Sequence, residues 1–373
     1  MAQVENRPPN GKSYFESLDL IRGVAAILVL VYHVDFMFGM RGTLLQGGYL
    51  AVDLFFVLSG FVLSHTYSER VAARRVGLRD YLTARLARLY PLFALTTVLG
   101  FAVMSARYLS NFGYVDTGPL VRAGLANLLM LPTFSAPYGI ETLFPFNGAT
   151  WSIFFEMVAS LAFFLVLARL SSVWLLAVAA VAALWLGFEI HRFGTVDLGW
   201  GSSNVTAGFP RVFFSFAIGM LIHRAFMARR WRFDPLALYA LLAASLVLVQ
   251  MRTMFTGLSH AIFDGAMLLF VLPAIVAVGA GTALGPRATA LARVLGEASY
   301  SVYLLQGSLI IVAAGLSQAI TGLKIYDLGA WVGFVFVALT VALSFATFHL
   351  FEDPARRVLR RLAGRWTGAR RCE

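Results

Sequence analysis

The sequence predicts an all-α polytopic membrane protein of about ten transmembrane helices, with both termini cytoplasmic. Three observations carry this. Hydrophobic residues make up 59% of the 373 positions and charged residues only 13%, about half the roughly 25% charge of a soluble domain and too little to coat a water-exposed body. Apolar runs of about 20 residues, long enough to cross a bilayer, recur along the whole chain. Bases outnumber acids, 30 Lys+Arg to 19 Asp+Glu, and they sort by position as membrane topology requires. A basic balance also suits nucleic acid or phosphate ligands. At a mean hydropathy of +0.77 it reads as cytoplasmic loops, and membrane lipid rather than nucleic acid is the expected surrounding.

Ten stretches qualify as spans: 18–38, 48–67, 89–106, 148–168, 173–190, 208–227, 235–252, 261–281, 298–317 and 329–350. The first carries Asp19 and Arg22 inside its apolar run and no small-residue cleavage site before the next span, so it is not a removable signal peptide. The stretch 120–135 is apolar but short and stopped by Pro132. A run of that length is re-entrant or interfacial rather than spanning. With ten spans and the N-terminus inside, 22 of the 30 Lys+Arg fall on cytoplasmic segments, six outside, and Arg22 and Arg211 within spans. An eleventh span at 120–135 would place Arg229, Arg230 and Arg232 outside, against the positive-inside rule.

No repeat, linker or appended soluble domain is visible. Residues 1–373 therefore read as one membrane-embedded domain with a basic cytoplasmic tail, 352–373. The external stretch 107–147, rich in Gly, Pro and aromatics, is either a lid over an outward-facing site or a structural connector. The single cysteine, Cys372, excludes an internal disulfide and a cysteine-based metal site. No histidine pair has ligand spacing with carboxylates, and no metal is expected. His65, His223 and His349 fall at cytoplasmic span ends and read as solvated groups, while His191 and His260 read as loop residues. Ser59 and Gly60 read as a small-residue packing face.

An ionisable group inside a span costs at least a few kcal/mol, so each one is a functional candidate. Arg22 and His33 are eleven steps apart in the first span. At about 100° and 1.5 Å per step they share one face, roughly 16 Å apart. Between them that face is slim: Ala25, Ala26 and Val29. A snorkelling arginine plus a hydrogen-bonded histidine fits the same spacing. Counting inward from the outer span ends puts His33 and Asp53 about 8 Å deep and Glu156 about 12 Å deep. The expectation is a cluster in which a carboxylate sets the tautomer of His33 and equips it as a general base. On the cytoplasmic side Arg85 and Arg88 lie three apart, abutting the third span. Positive-inside topology accounts for most of the neighbouring arginines; these two also suit phosphate recognition.

Taken together, these segments resemble acyltransferase family 3, the integral-membrane O-acetyltransferases of bacterial surface polysaccharides and nodulation factors. The family's Arg-or-Lys, ten residues, His hallmark matches Arg22 and His33. GYLAVDLFFVLSGFVLS carries Asp53 at the matching position, with Ala51 for the usual glycine. TARLARLYP matches the Arg-rich lead, and ATWSIFFE places Trp151 and Glu156. LGEASYSVYLLQ resembles the family's Ser-Tyr-x-x-Tyr-Leu-x-His stretch through Tyr300 and Tyr303, and FEDPARRVLRR its closing Glu-x-Pro. One departure stands out: Gln306 occupies the place of the family histidine. Glutamine hydrogen-bonds but does not titrate, which puts a proton relay there in doubt.

The resemblance covers nearly the whole chain, from about residue 14 to 361. It implies acyl transfer, usually of acetyl, from cytoplasmic acyl-CoA (acetyl-CoA) to a hydroxyl of a glycan or lipid-linked saccharide, in a bacterial inner membrane. Arg22, Arg85 and Arg88 would hold the CoA phosphates. His33 would act as general base or transient acyl carrier, with Asp53 and Glu156 supporting it. Trp151, Tyr300, Tyr303 and Gln306 would line the substrate side. The competing class is a transporter or flippase of glycans, in which the buried His, Asp and Glu form a proton path. Against it, the chain lacks the paired repeats common in transporters.

Overall fold

A computed structural model describes residues 15–39, 43–112, 117–134 and 141–366. Cys372 and the end of the basic tail lie outside these residues, as do Arg41 and Pro137. Among the described residues the chain is predominantly helical and forms no strand; its only β contacts are the isolated bridges Thr142–Gly201 and Phe233–Thr282. The helices are α1 Glu16–Met37, α2 Ala51–Ala72, α3 Leu78–Phe112, α4 Gly118–Leu128, α5 Trp151–Leu165, α6 Ser172–Phe193, α7 Gly208–Arg229, α8 Pro235–Met251, α9 Gly257–Ala266, α10 Leu272–Ala280, α11 Pro286–Thr321, α12 Ala330–Thr347 and α13 Asp353–Trp366. π-helical turns, Met267–Val271 and Phe348–Glu352, join α9 to α10 and α12 to α13.

Ten helical segments are long and apolar enough to cross a membrane, matching the ten sequence stretches in order. The ends differ most where basic residues extend a helix past its apolar run. The third begins at Leu78 instead of 89 because the Arg-rich lead is continuous with the span, and the ninth begins at Pro286. The stretch 120–135 gives only the 11-residue α4, too short to span. The end of the bundle holding the α2–α3 turn, with Arg74, Arg75 and Arg79, is the Arg-rich face below; the other end is the opposite face.

Close helix packing comes from small residues, as it must where lipid supplies little driving force for association. The open side of Gly60 on α2 meets the backbone of Phe216, and that of Gly219 on α7 meets the Val57 carbonyl; a Cβ at either would overlap main chain. The packing role read for Gly60 holds. Ser59 turns instead toward α5. Helices α1 and α11 run parallel and in contact, with Gly296 against the Asp19 side chain and Gly23 against Leu295. Much of the connector before α5 is packed inward: Leu143, Phe144 and Phe146 are fully buried. Asn147 caps the turn into α5 through Ala149 N–H at 3.2 Å and donates to the Leu304 carbonyl at 2.9 Å. The described part of 107–147 is therefore core and short helix; residues 113–116 and 135–140, where a lid would lie, are outside the described set.

Candidate active site

A cavity of about 210 Å³ opens among α1, α2, α3, α5 and α11. Four arginines from three helices line its Arg-rich end: Arg22 of α1, Arg85 and Arg88 of α3, and Arg356 of α13. Three are held by carboxylates. Arg22 pairs with Asp19 and donates to Ser299 Oγ at 3.1 Å and the Gly296 carbonyl at 3.3 Å. Arg85 donates to Glu156 Oε1 at 2.6 Å, and Ser59 Oγ donates to the same oxygen at 2.7 Å. Arg356 pairs with Glu352. The half-buried Arg88 guanidinium has no acceptor among the described residues. Glu297 also stands on the cavity wall but makes no ion pair with Arg88, so one guanidinium is left open toward the cavity, and an anionic ligand is its natural complement.

Toward the opposite face the cavity turns apolar, lined by Val52, Phe55 and Leu58, and reaches Tyr300 and Tyr303 on α11. Tyr300 donates to the Leu89 carbonyl at 2.5 Å, Tyr303 shares a 2.7 Å hydrogen bond with Ser152, and its ring meets Phe55 edge-on, the centroids being 5.4 Å apart. One turn further along α11 the fully buried Gln306 donates to the Tyr303 carbonyl at 3.0 Å, while its Oε1 has no partner among the described residues. His33 stands beside Gln306. Its Nδ1 lies 3.0 Å from the Val29 carbonyl. A carbonyl only accepts, so Nδ1 carries the proton and Nε2 keeps its lone pair, the tautomer a general base needs.

The two carboxylates expected to support His33 are engaged elsewhere. Asp53 accepts from Arg211 Nε at 3.2 Å and Nη2 at 2.7 Å, and both side chains are completely buried. Arg211 also donates to the Leu198 carbonyl at 2.5 Å, and its guanidinium lies 5.2 Å over the Trp151 ring. Trp151 is thus buried against Arg211 rather than standing in the cavity. Glu156 belongs to the arginine end through Arg85. Depth counting fixes a level and not an azimuth: α2 turns Asp53 toward α7, and α5 turns Glu156 toward α3.

The carboxylate that does neighbour His33 is Asp197, in the loop between α6 and α7. Tyr32 donates to Asp197 Oδ2 at 3.1 Å, and the Tyr32 and His33 rings are 5.3 Å apart. Burial pushes the Asp197 carboxyl above the usual carboxylate range, opposed chiefly by the Arg211 charge. The loop is pinned from the next residues: buried Asp264 accepts from Val196 N–H at 2.9 Å and from Tyr49 at 2.6 Å. His260, read as a loop residue, sits in α9, buried against Arg252 and Tyr49. His223 is likewise buried rather than solvated, its ring 5.4 Å from that of His65. Sequence reasoning missed Asp197 because a loop acid carries no spacing signal. It noted Arg211 as an in-span charge, the available signal, without a partner. Arg356 was hidden among topological bases.

The chain matches the acyltransferase domain of acyltransferase family 3 over residues 15–349. It is 37% identical over 160 residues to protein 2 in the picA locus of Rhizobium radiobacter, a match covering 39% of this chain and 78% of that protein. It is 32% identical over 121 residues to the O-acetyltransferase OatA of Staphylococcus aureus, covering 28% of this chain and 19% of OatA. Against the putative peptidoglycan O-acetyltransferase YrhL of Bacillus subtilis the identity is 29% over 123 residues, 27% of this chain and 18% of YrhL. The chain thus spans less than a fifth of the length of these last two relatives. No solved structure matches.

Proposed function

The chain belongs to acyltransferase family 3, and on that premise we propose that it moves an acyl group, acetyl by preference, from cytoplasmic acyl-CoA to a hydroxyl of an extracytoplasmic glycan. Its place is the inner membrane of a bacterium, with the Arg-rich face in the cytoplasm. The observation that carries this reading is that Arg22, Arg85 and Arg88 share one cavity that reaches Tyr303 on α11, one turn before the Gln306 that neighbours His33. The names of OatA and YrhL support O-acetylation, and peptidoglycan in one of them supports a cell-surface glycan as acceptor.

In this reading the arginine end holds the CoA phosphates, Arg88 with its full charge available. The apolar stretch past Phe55 and Leu58 accommodates the pantetheine arm. His33 Nε2 takes the proton of the acceptor hydroxyl as that oxygen bonds to the thioester carbonyl carbon. The carbon–sulfur bond then breaks and the proton passes to the CoA thiolate, giving an O-acyl ester and free CoA. The imidazolium formed in between has Asp197 as its neighbouring charge and the open Gln306 Oε1 as an acceptor for its new N–H. Asp53 and Arg211 brace Trp151 and the Leu198 carbonyl, and through it the loop that carries Asp197.

The test is release of free thiol from acetyl-CoA by the purified protein with surface glycan as acceptor, together with mass spectrometry of the acylated product. His33→Ala should lower turnover by about 10²–10⁴ while CoA binding and folding persist. Near-normal turnover in that variant sinks the assignment. A trapped acyl-imidazole on His33 would replace the general-base role with that of a carrier.

A further inference from the structure

Arg356 enters the cavity from outside the apolar part of every span. It stands in the first turn of α13, where Arg357, Arg360 and Arg361 follow it closely. The preceding π-helical turn, Phe348–Glu352, changes the helix register at this point; such turns recur at functional sites. Here the turn brings Phe348 onto the cavity wall and sends Glu352, fully buried, to accept from Ser301. Glu352 in turn pairs with Arg356, whose Nε donates to the Arg88 carbonyl at 3.3 Å. Arg356 and Arg88 thus lie side by side on the cavity wall; Glu352 pairs with Arg356, while Arg88 makes no ion pair among the described residues and feels Glu156 only at longer range.

We infer that Arg356 is a ligand for a phosphate of the acyl donor together with Arg88, making the C-terminal helix α13 part of the donor site. This rests on the donor reading above. Two adjacent guanidinium groups repel each other in a partly dehydrated pocket, and a bridging phosphate reverses the sign of that interaction. Glu352 serves as the counter-ion when the donor is absent. A plain structural staple, fixing α13 to α3 through the Arg88 carbonyl, makes a different prediction: loss of stability with no change in ligand affinity.

The full chain in lipid nanodiscs, titrated calorimetrically with CoA and with 3′-dephospho-CoA, separates these. Arg356→Gln should weaken CoA about tenfold, the effect of losing a charge-assisted hydrogen bond. Arg356→Lys should fall between that variant and the wild type. Arg357→Gln, whose partner Asp353 lies on the exposed flank, should leave affinity unchanged. If the tenfold loss disappears with 3′-dephospho-CoA, Arg356 reads the 3′-phosphate; if it persists, the pyrophosphate. Should Arg356→Gln fold poorly because Glu352 is left buried and unpaired, Glu352→Gln/Arg356→Gln removes both charges and is compared with Glu352→Gln alone. Unchanged affinity in these Arg356 variants, with wild type binding CoA, overturns the inference and leaves the donor reading intact. Failure of the wild type to bind CoA overturns the donor reading, and Arg356 with it.

Discussion

Asp53 divides two accounts of this protein, and Asp53→Asn decides between them. As a catalytic carboxylate it would matter for rate; as the partner of Arg211 it matters for folding. Its oxygens lie 2.7 and 3.2 Å from Arg211 nitrogens, with neither side chain exposed. At 2.7 Å and an effective dielectric near 20, the Coulomb attraction is about 6 kcal/mol. Desolvation of two buried ions consumes a comparable amount, so the intact pair contributes little net stability. Removing one partner is different, because Arg211 keeps its charge in a dry interior with the Leu198 carbonyl, the Trp151 ring and the more distant charge of Asp197 in place of a paired carboxylate. The expected loss is about 3–5 kcal/mol. Asp53→Asn/Arg211→Met, which removes both charges, should regain most of it. Equilibrium unfolding of the two single variants, the double variant and wild type in one detergent gives the coupling directly, and thiol release per folded molecule gives the rate. Wild-type stability in Asp53→Asn, accompanied by loss of transfer, would refute the structural assignment and return Asp53 to the chemistry.

Three further outcomes follow from the same geometry. Arg88→Gln should raise the KM for acyl-CoA about tenfold with unchanged melting temperature, since no ion pair is broken; Arg22→Gln should raise KM and also destabilise, because it breaks the ion pair with Asp19 and the bonds to Ser299 and the Gly296 carbonyl. An unchanged KM in Arg88→Gln, with chemistry slow enough for KM to report binding, removes the phosphate role. Asp197→Asn should slow transfer most at neutral pH. The Asp197 carboxyl is held above the ordinary carboxylate range, so its charge is present above that raised value and is lost as pH falls through it. The wild-type to Asp197→Asn rate ratio should therefore shrink toward one in acid, and a ratio constant with pH contradicts the role.

What the sequence made legible follows from what a one-dimensional pattern encodes. Ten apolar runs define ten helices because hydrocarbon admits little else, and the short run ending at Pro132 was correctly kept from spanning. Arg22 and His33 were legible as a pair because both lie on one helix, whose period is known. Glu156 and Asp53 were legible as expensive groups but not as partners, since which neighbour each one faces depends on how α2 and α5 are rotated against α3 and α7. Side-chain reach adds to this: Arg85 is long enough to draw Glu156 into the arginine end. Asp197 and Arg356 carried no periodic signal at all, one in a loop and the other in a basic helix that topology already explained.

The rigidity of the α1–α11 pair constrains the donor. Arg22 and His33 are eleven residues apart on one helix, roughly 16 Å by its rise. Each is tied to its place, Arg22 by Ser299 and the Gly296 carbonyl, His33 by the Val29 carbonyl. Because both lie on one continuous helix, the rise of α1 fixes their separation, and α11, running parallel, meets it at both ends through Gly296 and Ser299 at Arg22 and Gln306 at His33. A donor held by phosphate at one level must therefore carry its electrophilic carbonyl to the other on a long, slim, largely uncharged arm. An acyl phosphate, whose carbonyl carbon is bonded through oxygen to the phosphorus, fails that requirement. The acyl-CoA thioester proposed above meets it, and on that proposal its acyl group is carried about half the way across a hydrocarbon core of about 30 Å without a transporter's rocking motion.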